Sequence, residues 1–221
     1  MVEEIKDEAR RQVAQAGAPA LSLRAVTRQL GMASSAIYLY FPSRDQLITS
    51  LIIDAYNAMG AAVEQADGAC GRVDFAGRWR ADCHAVRNWA LEHPHEYALI
   101  YGSPIPGYRA PEDTVGPASR VTQVLAGVAR DAAAADALSS PFNPTVVPGL
   151  SRQASLGAGR LESTVLKGVP EDAIVRALIA WTQLFGMISF ELFGHLTGVV
   201  DHAEALFDQA VITMGAFVGI T

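Results

Sequence analysis

Residues 22–47 read Ser22-Leu23-Arg24-Ala25-Val26-Thr27-Arg28-Gln29-Leu30-Gly31-Met32-Ala33-Ser34-Ser35-Ala36-Ile37-Tyr38-Leu39-Tyr40-Phe41-Pro42-Ser43-Arg44-Asp45-Gln46-Leu47. Ser22 has the short polar side chain of a helix N-cap. Leu23, Val26 and Leu30 then recur on one helical face, and Gly31 breaks the helix. A second short helix is expected from about Ser34 to Tyr40, with Ile37 and Phe41 pointing inward, until Pro42 ends it. Gly31-Met32-Ala33 between the two is the short, glycine-containing turn of a helix-turn-helix. Ser43 with Gln46 spells a capping box, and a long helix is expected from Arg44 to about Ala66.

A short helix that begins on small residues can enter a major groove ~12 Å wide. Ser34, Ser35 and Ala36 stand at that start, where their size permits contact with base edges and thymine methyls. Tyr38 and Tyr40 carry hydroxyls able to reach phosphates. Arg44, with the amides of residues 44 to 46, offers a helix N-terminus to a further phosphate. Ser22 and Arg24, opening the preceding helix, complete the candidate DNA contacts. Spacing alone leaves another reading open, in which a three-helix unit with two tyrosines is ordinary core.

Outward from this stretch nearly everything reads as helix. Upstream, Ile5, Ala9, Val13 and Ala16 recur at helical spacing before Gly17. Downstream, helices are expected over 74–92, from His93 to Tyr101, over 118–138, from Pro170 to about Leu196 and from Asp201 to about Val218. Pro170 suits a first helical turn, and Asp201 with Glu204 spells a second capping box. Gly102 to Pro117 and Ser139 to Gly149 are proline-rich loops. No useful β alternation appears, so the fold class expected is all-α.

The chain has 221 residues, half of them hydrophobic, which excludes a disordered chain and permits a sizeable core. No segment reads as a transmembrane span, and the acidic, amphipathic N-terminus does not read as a signal peptide. Cys70 and Cys83 give neither a disulfide framework nor a zinc site, so a reducing cytoplasm is expected. A net charge of −6 would by itself argue against nucleic acid. It is unevenly spread: residues 1–48 carry six basic and five acidic residues, whereas the remainder holds eleven and eighteen. That asymmetry fits a small polyanion-facing module on an acidic body.

The string Gly31 to Leu47 resembles the recognition-helix signature of TetR-family transcriptional regulators. Ala90 to Tyr97, Tyr101 to Tyr108 and Trp181 to Gly186, continuing to Glu191, resemble the family's WHG-type subgroup. Ala33 stands where the family usually has a capping Ser or Thr, which removes a cap worth ~1 kcal/mol. Leu39 stands where polar or basic residues are frequent, and Phe185 replaces the histidine of the subgroup's name. The resemblance implies an N-terminal three-helix DNA-binding module, placed at 1–48, and a helical regulatory and dimerisation body, placed at 49–221. It implies a homodimer on a pseudo-palindromic, double-stranded operator. A small effector, apolar in view of Phe185, would release the protein, which acts as a repressor. The alternative is a DNA-binding dimer with an inert body.

The body supplies candidates for both remaining tasks. Trp89, Tyr97, Tyr101, Trp181 and Phe185 are expected to line an effector pocket, mostly apolar with few polar groups. They also read as core aromatics. The last two long helices are expected to form the dimer interface that the resemblance implies, through Ala177, Ala180, Gly186, Gly194, Phe207 and Met214. Enzymatic chemistry finds little support. His93 and His95 do not share a helix face as an i, i+4 metal pair would. Ser103 and Ser189 lack a nucleophile elbow. Catalytic residues, metal and cofactor are therefore expected to be absent.

Overall fold

The computed structural model describes residues 1–139 and 166–220, and every regular element among them is helical. The expected loop from Ser139 to Gly149 lies, after Ser139, outside the described residues. The chain forms two compact units, Met1–Ala58 with Glu92–Ala118 and Met59–Leu91 with Ser119–Thr221. The compact units interleave along the sequence, and neither has a boundary at residue 48.

The first unit contains α1 (Val2–Ala16), α2 (Leu23–Gln29), the opening half of α3 (Arg44–Ala69) and α5 (Pro94–Tyr101). Ile5, Ala9 and Val13 of α1 are buried, as their spacing predicts. Ala16 is exposed, because the chain turns away at Gly17, whose φ of 77° is in the left-handed region. The α1 residues pack against Val26, Ile37, Phe41, Leu47 and Leu51, with Leu99 and Tyr108 added at the edge. Lys6 and Arg10 both reach Asp54, at 3.0 and 2.7 Å, and tie α1 to α3. The Ser22 hydroxyl caps α2 by accepting from the Ala25 amide at 3.4 Å. Ser43 accepts likewise from the Gln46 amide at the start of α3, at 3.2 Å.

The helix expected over residues 34–40 contracts to a 3₁₀ turn, Ala36–Leu39, without a side-chain cap. Ala33 has no acceptor to offer the free amides, and Ser35 does not supply one, so a single turn closes by backbone bonds alone.

The second unit contains the end of α3, α4 (Phe75–Glu92) as far as Leu91, α6 (Val115–Ala134) from Ser119 onward, α7 (Glu171–Leu192) and α8 (Ala203–Val218). The α7 and α8 helices pack against each other. Trp79 of α4 is buried and donates its indole N–H to the Val211 carbonyl at 3.0 Å. Gly215 makes room for that ring, since a Cβ there would stand 3.1 Å from Trp79 Cδ1. Partly buried ion pairs link the other helices. Arg87 of α4 makes a two-pronged contact with Glu191 of α7, at 2.8 and 2.6 Å. Arg78 is held between Asp67 and Asp131, at 2.6 and 2.9 Å.

Two sequence expectations need correction here. The α7 helix stops at Leu192, short of Leu196, because Gly194 takes a φ of 78° and leads into turns. The α8 helix is capped by His202 without a side-chain bond, so the Asp201–Glu204 capping box does not form. By length and composition alone, α7 is apolar enough to cross a membrane, with mean hydropathy 1.5 over 18 residues. Close to half of that stretch is nevertheless buried within the protein.

Candidate functional site

The helix-turn-helix presents its candidate contacts outward on an apolar anchor. Ile37 and Phe41 are buried, at 1% and 6% exposure, and fix the 3₁₀ turn to the core of the first unit. Between and around them Tyr38, Leu39 and Tyr40 are exposed, Leu39 to 85%. Ser34 and Ser35 are exposed on the approach, and Ala36 is half-buried. The Ala36 amide donates to the Ala33 carbonyl, and those of Tyr40 and Phe41 both donate to Ile37, so this short segment is internally bonded. A projecting row of small and tyrosine side chains on a rigid base can make both base and phosphate contacts.

Cations around this row divide into two kinds. Lys6, Arg10 and Arg11 on α1 are paired with acidic residues. Arg24 is exposed on α2, and so is Arg28 one turn later. Among the described residues, these two are the basic side chains of residues 1–48 that form no ion pair. Arg28 was not singled out by the sequence reading; its i, i+4 relation to Arg24 is the signal that marks it. Ser22 is half-buried, with its hydroxyl occupied as the α2 cap.

Arg44 has a different task from the one its sequence position suggests. Its Nε donates to the Leu21 carbonyl at 3.0 Å, and one terminal nitrogen donates to Ala18 and Pro19 at 2.7 and 3.1 Å. The guanidinium thus fastens the start of α3 to the connection between α1 and α2. Its fork is spent on carbonyls, which makes Arg44 a positioning residue instead of a free phosphate donor.

The five expected pocket residues divide between the units. Tyr97 and Tyr101 belong to the first, with ring centroids 5.1 Å apart, and Tyr101 also meets Tyr56 edge-on at 6.1 Å. Burial pushes the Tyr101 hydroxyl well above its ordinary pKa. Trp89, Trp181 and Phe185 belong to the second unit, where Trp181 and Phe185 lie 5.4 Å apart. An apolar groove of about 290 Å³ in that unit is lined instead by Trp79, Val211, Ile212, Gly215 and Ile220, among others.

The second unit also buries two polar groups that its own chain does not satisfy. Both carboxylate oxygens of Asp82 and the indole nitrogen of Trp181 are buried without a hydrogen-bond partner. Burial, with the negative charge of Asp67 adding to it and Arg78 opposing, pushes the Asp82 carboxyl up to about 8. Asp82 was not a sequence candidate. Its position was readable: three residues after Trp79 and four before Val86, it shares their buried helical face.

The expected dimer residues also need correction. Ala180, Phe207 and Met214 are buried within their own chain, at 0%, 1% and 1% exposure, and have no surface to give a partner. Gly194 lies beyond α7 in a turn, not on a helix face. Ala177 and Gly186 are half-buried, and a Cβ at Gly186 would meet nothing within 4 Å. The exposed apolar residues of these helices are Leu178, Ile179 and Phe190 on α7 and Leu206 and Ile212 on α8.

A helix-turn-helix with outward tyrosines, on an all-helical chain, defines a DNA-binding transcriptional regulator. Residues 5–51 match the family described as bacterial regulatory proteins, tetR family, and residues 79–214 match the tetracyclin repressor-like C-terminal domain. The chain belongs to the TetR family. The WHG-type grouping is a finer statement than that match makes. The chain is 38% identical to HTH-type transcriptional regulators of Mycobacterium tuberculosis (Rv1816) and Mycobacterium bovis (Mb1846), over 92% of its length and 83% of theirs. A crystal structure of the regulatory protein SCO4313 superposes with a TM-score of 0.74 at 36% identity, covering 96% of this chain and 94% of that one. The TetR-family regulator PfmR of Thermus thermophilus shares the fold, with a TM-score of 0.56 at 15% identity over 97% and 96% of the two chains.

Proposed function

We propose that this regulator is a cytoplasmic homodimeric repressor that leaves a pseudo-palindromic operator when a small molecule binds its helical body. The observation that carries the reading is the exposed row Ser34, Ser35, Tyr38, Leu39 and Tyr40 mounted on buried Ile37 and Phe41. Ser34, Ser35 and Ala36 read bases; Tyr38 and Tyr40 contact phosphates, with Arg24 and Arg28 alongside. Two copies read half-sites about one helical turn, ~34 Å, apart. The partner docks on the exposed apolar residues of α7 and α8, with Gly186 permitting close approach. Ligand shifts the population toward a body geometry that separates the two reading elements from the DNA spacing. The α3 helix contributes residues to both compact units and is one of the covalent links through which that shift travels.

The test is selection from a random duplex pool by the purified protein, followed by sedimentation of the complex. A pseudo-palindrome bound by two chains is the expected result. An asymmetric site, or one chain per site, refutes the dimeric reading. Repeating the selection with Ser35→Ala should change the preferred bases; an unchanged site refutes base reading there.

A further inference from the structure

The second unit keeps a carboxyl group where a folded protein has little reason to keep one. Asp82 is fully buried, and neither oxygen accepts a hydrogen bond from the described residues. Such groups are uncommon, because a carboxyl taken out of water without a hydrogen bond loses its hydration and gains nothing in return. The neighbouring cation is not available. Arg78, one helical turn earlier, gives its Nε and both terminal nitrogens to Asp67, Asp131 and the Arg72 carbonyl. The next cation along α4, Arg87, is engaged by both oxygens of Glu191. Arg78 is held instead between Asp67 and Asp131, so the cation one helical turn before Asp82 is spent on other acids. Cys83 and Val86 beside it are fully buried, and the same unit holds the Trp181–Phe185 pair, with Trp181 Nε1 also lacking a partner.

We infer that the effector is a lipophilic protonated amine and that Asp82 is its counter-ion. The inference rests on the ligand-responsive reading above and specifies its ligand class. An ammonium N–H donates to the Asp82 oxygens, and the apolar remainder of the molecule is accommodated among the buried aromatics of the unit. Proton balance follows from the chemistry. The free protein holds Asp82 largely protonated at neutral pH, since its carboxyl titrates at about 8. The amine arrives already protonated. On binding, the Asp82 O–H releases its proton to solvent and the ammonium keeps its own. Asp67, Arg78 and Cys83 are the other titratable or charged groups coupled to this carboxyl. Arg78 and Asp67 form an ion pair, and burial, with Asp82's charge adding to it, pushes the Cys83 thiol well up.

Two length-matched sets of probes test this: octylamine, octanol and octanoate, then phenylethylamine, phenylethanol and phenylacetate. Each is scored by titration calorimetry and by release of the protein from its selected DNA. The amines should bind at least tenfold more tightly than their alcohols and acids. Calorimetry in two buffers at pH 7 should show close to one proton released per amine. Asp82→Asn, isosteric with the protonated carboxyl, should remove both the preference and the proton release while the far-ultraviolet spectrum is unchanged. Should Asp82→Asn misfold, proton release by the unaltered protein still decides the matter. Equal action by alcohols or acids, or no proton release, overturns the counter-ion assignment and leaves ligand response standing. Silence from all six probes overturns the amine class. The reading beneath it falls only if a bacterial small-molecule extract also fails to release the DNA.

Discussion

Arg44→Ala separates two roles that the sequence cannot tell apart. The guanidinium makes three donor contacts, to the carbonyls of Ala18, Pro19 and Leu21, and is 29% exposed. Hydrogen bonds from a charged donor contribute ~1.5–3 kcal/mol each when enclosed. Here the carbonyls can turn to water once the arginine is gone, so a total loss of about 2 kcal/mol is the reasonable figure. For a chain of this size that lowers Tm by about 4–8 °C. Loosening the start of α3 should also weaken DNA binding, since Phe41 and the reading turn lie directly before it. The discriminating quantity is salt dependence. A lost phosphate contact reduces the slope of log K against log salt by ~0.9. A lost positioning contact weakens binding at every salt concentration and leaves the slope alone. Arg44→Lys sharpens the comparison, because it keeps the charge but lacks the fork. Thermal melts and polarisation titrations at several salt concentrations supply both readouts. We expect both variants to melt lower and bind more weakly with unchanged slopes. An Ala variant with wild-type Tm and a slope reduced by ~0.9 would refute the positioning role.

Asp82→Asn should change stability in a pH-dependent manner. The folded carboxyl titrates at about 8, well above the unfolded value, so the folded state holds the extra proton. Wild-type stability therefore falls as pH rises from ~4 to ~8, by up to about 1.4 kcal/mol per unit, and the Asn variant loses that slope. Denaturant titrations across this range check it, and parallel curves for the two proteins refute it. Arg87→Ala leaves a half-buried Glu191 without its partner and should cost about 1–3 kcal/mol, whereas Arg87→Met with Glu191→Leu should cost far less; chemical denaturation of both decides whether the pair or the packing matters. Phe190→Glu, on an exposed apolar site, should give a folded monomer in sedimentation that binds DNA poorly, while Ala180→Glu, inside the protomer, should fail to fold. A dimeric Phe190→Glu protein places the interface elsewhere.

What was legible in the sequence was whatever a single helix or turn decides by itself. The Ser22 cap, the Ser43 cap, the break at Gly31 and the buried faces of α1 as far as Val13 and of α2 at Leu23 and Val26 depend on neighbours within a few residues, and they stand as read. The failures are tertiary. Ala33 signalled a missing cap, but only the structure shows the reading helix reduced to one 3₁₀ turn closed by backbone bonds alone. Arg44 looked like a phosphate ligand because it opens a helix. Its actual partners are more than twenty residues earlier in the chain, and no local pattern predicts them. The dimer residues failed for the opposite reason. Small and apolar residues on a hydrophobic helix mark both the core face and a partner face, and periodicity does not say which is which. Exposure does: Leu178, Ile179 and Phe190 are exposed, whereas Ala180, Phe207 and Met214 are buried within their own chain. Asp82 combines these lessons. Its spacing from Trp79 and Val86 announced burial, and its charge announced a need for a partner. The structure adds that Arg78 and Arg87, the nearest buried cations on its own helix, are already engaged. A buried acid whose possible partners are occupied by other acids is the feature that sequence alone does not reveal, and it directs the search for an effector toward cations.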